Sequence, residues 1–64
     1  MVGRQGRVTG KVGPGLVGEV MIPIRGSSEA YLARTDGTDK IPTGARVIVL
    51  EYLPPRTVVV SVVP

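Results

Sequence analysis

Apolar and polar positions alternate with a period of two over residues 5–12. Val8 and Val12 fall on one side with Gly6 and Gly10, and Arg7, Thr9 and Lys11 fall on the other. This is the signature of a strand with one buried face. It stops at Gly13-Pro14-Gly15, a strong turn signal. A second strand is predicted over 16–25, with Leu16, Gly18, Val20, Ile22 and Ile24 on one face and Val17, Glu19, Met21, Pro23 and Arg25 on the other. Gly18 marks a bend or bulge of the kind that lets a sheet curl. Pro23 cannot donate to a ladder and belongs at an edge or a bulge. Gly26-Ser27-Ser28 reads as a turn. Residues 29–34 (EAYLAR) include good helix formers, but six residues do not hold a helix unaided, so the segment is assigned as a third strand. TDGTDKIPTG, 35–44, is a loop. Strands four and five are predicted over 45–52 and 57–63, joined by a proline-rich loop over 53–56.

Five short antiparallel strands with a glycine bend in the second predict an all-β domain, a small five-stranded OB-like Greek-key barrel. The loop 35–44 has no room for the helix usual in that fold. An SH3-like barrel is the alternative.

The last hairpin, VIVLEYLPPRTVVVSVV, is apolar on both faces. A barrel has one inside, so one row must face out. Val47, Val49, Val58, Val60 and Val62 are assigned inward, because small β-branched side chains suit a narrow barrel. Glu51 falls in this row and argues against it unless it lies at the barrel mouth. Ile48, Leu50, Tyr52 and Val59 are then outside, joined by Leu53. An exposed apolar row of this size is either the surface that every small barrel shows or a contact surface. Arg46 and Arg56, near its ends, suit the polar rim of an interface. The expected occupant is a protein partner or a second copy of the chain.

Composition narrows the chemistry. At 64 residues the chain is one domain. It has no Cys and no His, which removes disulfides, thiolate sites, the commonest zinc ligand and the usual general base. Ser27, Ser28 and Ser61 lack an activating base; only Lys11 or Lys40 would be available to one of them. Asp36 and Asp39 lack the further oxygen ligands of a calcium loop and read as turn residues. Gly13-Pro14-Gly15 and the series Gly3, Gly6, Gly10 precede no helix, so they are turn and bend glycines and not a phosphate loop. No enzyme, cofactor or metal is expected. No stretch reaches the roughly 18 apolar residues of a membrane span, and the N-terminus has no apolar signal-peptide core.

A net charge of +3, from eight basic and five acidic residues spread along the chain, bears on solubility and encounter more than on partner. Nucleic acid is the second functional class to weigh. OB barrels bind single strands with stacked aromatics in a basic groove. Met21, Arg25, Tyr31 and Arg34 are the residues available for that, opposed by Glu19 and Glu29. One tyrosine is a poor platform.

Four groups of residues carry a family resemblance. Gly3-Arg4-Gln5-Gly6-Arg7-Val8 opens the chain, and Pro14-Gly15 is followed by Gly18-Glu19-Val20. Ile41-Pro42-Thr43-Gly44-Ala45-Arg46-Val47-Ile48-Val49 and Val58-Val59-Val60 come late. This spacing resembles the C-terminal soluble domain of NfeD-like proteins over nearly the whole chain. The resemblance implies an OB-like barrel without the usual helix, carried at the end of a membrane-anchored protein. It implies a stomatin- or flotillin-like membrane protein, typically encoded alongside, as the partner. Longer members add an N-terminal serine protease domain, of which nothing is present here, and no catalytic residue is implied. On this reading residues 1–64 are the soluble part of a larger chain.

Overall fold

The computed structural model describes residues 1–64 as five strands. These are β1 (Gln5–Gly10), β2 (Gly18–Ile24), β3 (Ser27–Arg34), β4 (Arg46–Leu53) and β5 (Thr57–Val62), with no helix. They close into a barrel in the order β1-β2-β3-β5-β4. The β3–β5 pair is parallel and the other four pairs are antiparallel. Placing β5 between β3 and β4 makes the barrel the OB type expected from the sequence, and not the SH3-like alternative.

Close approach of β1 to β2 gives the barrel its bend. The ladder slips between Val8↔Val20 and Gly10↔Glu19, leaving Thr9 as an extra residue in β1. Its hydroxyl donates to Glu19 Oε1 at 2.7 Å. Opposite the slip, a Cβ at Gly18 would collide with the backbone carbonyl oxygens of Gly10 and Lys11. The predicted bend is therefore at Gly18, but the extra residue is carried by β1. Pro23 lies past Arg7↔Met21, the last β1–β2 pair, so no partner misses its N–H.

The β2–β3 turn is one residue earlier than the sequence suggested. Ile24 pairs with Ser27, so Arg25 and Gly26 alone make the connection, and Ser27 and Ser28 belong to β3. Both turn residues have positive φ, 44° at Arg25 and 81° at Gly26, the backbone of the primed turns that match strand twist. That geometry holds β2 and β3 in register along seven pairs.

Inside lies one cluster of eleven buried side chains, mostly valine: Val8, Val12, Val20, Val47, Val49, Val58 and Val60, with Ile22, Tyr31, Ala33 and Ile41. No polar or charged residue is buried. Fully burying one such aliphatic side chain contributes about 1.5–3 kcal/mol. Ile41, from the predicted loop, exchanges backbone hydrogen bonds with Val12 and joins the core shortly before β4 begins. At the opposite end of β4, Pro54 and Pro55, joined by a cis bond, lead the chain into β5.

The β4–β5 register corrects the expected rows. Val47↔Val62 and Val49↔Val60 pair, as the inward valine row requires, and then the ladder slips, giving Glu51↔Val59 and Tyr52↔Val58. Leu50 is the extra residue of a bulge. A bulge puts two residues of one strand opposite one of the other and reverses the inside–outside alternation beyond it. Glu51 therefore turns outward, which removes the objection to an inward valine row. Tyr52 turns toward the barrel interior, beside core residue Val58, against the expectation that it faced out. Val62, at the end of β5, stays 47% exposed.

Candidate functional site

Arg46, Ile48 and Leu50 alternate along the outward face of β4, as the sequence predicted. Leu50 is 53% exposed, because the bulge pushes it away from any cross-strand neighbour. Ile48 is half-buried and Arg46 exposed. Their neighbours in register are Ser61 and Gln5 for Ile48, and Arg7 for Arg46.

Three other residues assigned to this surface are placed differently. Val59 does point out of the barrel, but it is only 5% exposed, with Arg34 on one side and Glu51 on the other. Tyr52 keeps 37% of its surface at the barrel mouth, edge-on to Tyr31 with ring centroids 6.4 Å apart, and its hydroxyl donates to the Pro55 carbonyl at 2.8 Å. Arg56 is no free rim charge. It reaches across to β3, donating from Nη2 to the Ala30 carbonyl at 2.6 Å and placing its Cζ 4.8 Å from the Tyr31 ring centroid. Its Nη1 lies 3.6 Å from Glu29 Oε1.

The four residues proposed for nucleic acid do not form one face. Met21 and Arg34 point outward on β2 and β3, but Arg25 sits in the turn. Tyr31 pairs with Val20 on the inward face, is 8% exposed, and has Arg56 over its ring. A base has no access to stack there, so the platform that reading required is absent.

Two residues extend the outward apolar surface. Leu32 is 52% exposed and lies beside Thr57 of β5, which pairs in turn with Leu53 of β4. Leu32, Thr57 and Leu53 thus form one row across three strands, with Leu50 further along β4. Leu53 was expected here. Leu32 was missed, because its place depends on the parallel β3–β5 pairing, for which nothing in the local pattern of EAYLAR gives a signal.

No three His, Cys, Asp or Glu side chains lie close enough together to hold a metal ion. No helix is long and apolar enough to cross a membrane. What the geometry offers is an outer sheet surface of Ile48, Leu50, Leu53 and Leu32, stepped by a bulge, crossed by the row of Glu51, Val59 and Arg34 and bordered by Arg46. Such a surface can bind another protein by burial of its leucines.

A family model described as the NfeD C-terminal domain matches residues 5–61. Among solved structures, the fold is similar to the soluble domain of the NfeD protein YuaF from Bacillus subtilis, with a TM-score of 0.81 and 27% identity over 94% of this chain and 70% of that one. It is also similar to the C-terminal domain of the stomatin operon partner protein 1510-C from Pyrococcus horikoshii, with a TM-score of 0.73 and 31% identity over 100% of this chain and 89% of that one. No curated protein matches the sequence.

Proposed function

The chain belongs to the NfeD C-terminal domain family, and on that premise we propose that it is a non-catalytic protein-interaction module of a membrane-anchored parent. Its partner is a stomatin- or flotillin-like membrane protein, and the pair acts in membrane organisation or quality control. The similar Pyrococcus protein is described as a stomatin operon partner, which supports this choice of partner.

The observation that carries the reading is Leu50. A leucine held half-exposed by a bulge, on the outward face of β4 with Ile48 and Leu53, contributes little to the barrel and much to a surface that a partner can cover. Interfaces concentrate their energy in a few such central side chains.

The test is Leu50→Glu. Far-UV circular dichroism and the melting temperature should stay close to wild type. Capture of the soluble part of a stomatin-like protein should be lost, and so should any self-association seen by sedimentation. Capture that survives the substitution, or unfolding of the domain, would remove Leu50 from the contact and the reading with it.

A further inference from the structure

The face of the barrel on the far side of Arg46 carries a groove that the Leu50 surface does not use. Arg46 of β4, Arg7 of β1, Met21 of β2 and Ala30 of β3 are successive partners in register, so they form one row across four strands. The groove along this row has a volume of about 390 Å³ and is bordered by Gln5, Arg7, Arg46, Met21, Pro23 and Ser28. Its floor is Gly6, where β1 lies so close to β2 that a Cβ would stand 2.5 Å from the Met21 carbonyl oxygen. At one end Arg4 donates from Nη1 to the Pro23 carbonyl at 3.3 Å.

The charges in this groove are unbalanced. Arg7 and Arg46 stand directly opposite each other, an arrangement that disfavours a strand pair. Neither has a carboxylate within ion-pair distance, for the one ion pair of the chain joins Arg56 to Glu29. Arg7 makes a single long hydrogen bond, 3.4 Å, to the Gly44 carbonyl, which leaves most of its donors free. Glu19, the acidic residue of β2, accepts from the Thr9 hydroxyl and does not border the groove. Beside these cations the wall is Met21, a side chain that adapts to varied apolar partners, and Pro23.

We propose that this groove binds an extended acidic peptide segment of a partner protein. Side-chain carboxylates are taken by Arg7 and Arg46, whose planar guanidinium groups suit bidentate pairing. An intervening aliphatic side chain lies on Met21 and Pro23. A bare phosphate would leave Met21 and Pro23 unused. A single-stranded nucleic acid needs aromatic platforms, and neither tyrosine borders the groove. The site uses none of the leucines of the Leu50 surface, shares with it only the bordering Arg46, and stands without it.

The test is an amide NMR titration of the domain with a capped hexapeptide of alternating glutamate and leucine. Saturable shifts are expected at Arg7, Met21, Ser28 and Arg46, weakening as salt is raised. Arg7→Gln and Arg46→Gln, both at exposed positions, should keep the native spectrum and each weaken binding roughly tenfold. Leu50→Ser should leave peptide affinity within about twofold, which separates this site from the surface proposed above. Three results would each overturn the proposal. One is no saturable shift at millimolar peptide. Another is equal binding of a lysine–leucine hexapeptide. The last is tighter binding of inorganic phosphate or a single-stranded oligonucleotide than of the acidic peptide.

Discussion

Replacing Arg56 with alanine removes three interactions that tie the β4–β5 loop to β3. The first is the 2.6 Å hydrogen bond from Nη2 to the Ala30 carbonyl. As a charged donor at a partly wet site it contributes about 1–1.5 kcal/mol. The second is the guanidinium over Tyr31, 4.8 Å from the ring centroid, which contributes roughly 0.5–1 kcal/mol at an exposed position. The third is the 3.6 Å ion pair with Glu29, where the two side chains are 55% and 44% exposed, so solvent screening leaves only a few tenths of a kcal/mol. Together the loss is about 2 kcal/mol. A domain of 64 residues at about 0.05–0.15 kcal/mol per residue holds roughly 3–10 kcal/mol in all. For this size each kcal/mol moves the melting temperature by about 4–8 °C, so Arg56→Ala should lower it by roughly 8–16 °C. Thermal melts followed by circular dichroism read this directly. Glu29→Gln should move the midpoint by less than about 2 °C. Arg56→Lys should recover less than half of the loss, because an ammonium cannot stack as a guanidinium does. Partner capture by folded Arg56→Ala should match wild type. A melting temperature within about 2 °C of wild type, or lost capture in a folded variant, would refute the assignment of Arg56 as a structural latch and restore it to the interface rim.

Two further substitutions probe the barrel's close approaches and turns. Gly18→Ala drives a Cβ into the carbonyl oxygens of Gly10 and Lys11, backbone atoms that no rotamer change can clear. Urea unfolding should show a loss of roughly 2–3 kcal/mol, and a wild-type midpoint would mean that the two strands are further apart than described. Arg25→Asn places a residue that tolerates left-handed backbone where arginine has a φ of 44°. The melting temperature should rise by roughly 2–8 °C, from a gain of about 0.5–1 kcal/mol, and a fall would count against the strained turn.

The barrel was legible in the sequence wherever a strand alternates cleanly. Val8 on β1, and Val20 and Ile22 on β2, were placed by period alone and are core residues. EAYLAR became a strand despite its helix formers, because pairing on both sides outweighs a weak local propensity. The β4 face was legible only as far as Val49. Nothing in the residues of VIVLEYL marks Leu50 as the extra one, since the slip is set by the fit of the β4–β5 hairpin to its neighbours, so Glu51 and Tyr52 were each read on the wrong face. Tyr31 was misjudged for a similar reason. Both faces of its strand mix polar and apolar residues, and the arginine covering its ring comes from the far hairpin loop, 26 positions from the carbonyl it also holds. Arg46 and Leu50 were found because they follow the simple outward alternation. Arg7 escaped notice because its significance lies in its opposite neighbour, a fact of register.

The ring of strands also carries an order of assembly. Two of its pairings, β2–β3 and β4–β5, join neighbours in the chain through short turns. Two others, β1–β4 and β3–β5, are three pairs long and join strands distant in sequence. Loop-closure entropy is lost before such pairs return any hydrogen bonds. Chain topology therefore predicts that the hairpins form before the two long-range seams. Until Gln5–Gly10 docks on β4, the groove containing Arg7 and Arg46 has only one of its arginines in place, so the same step that closes the barrel also completes that site.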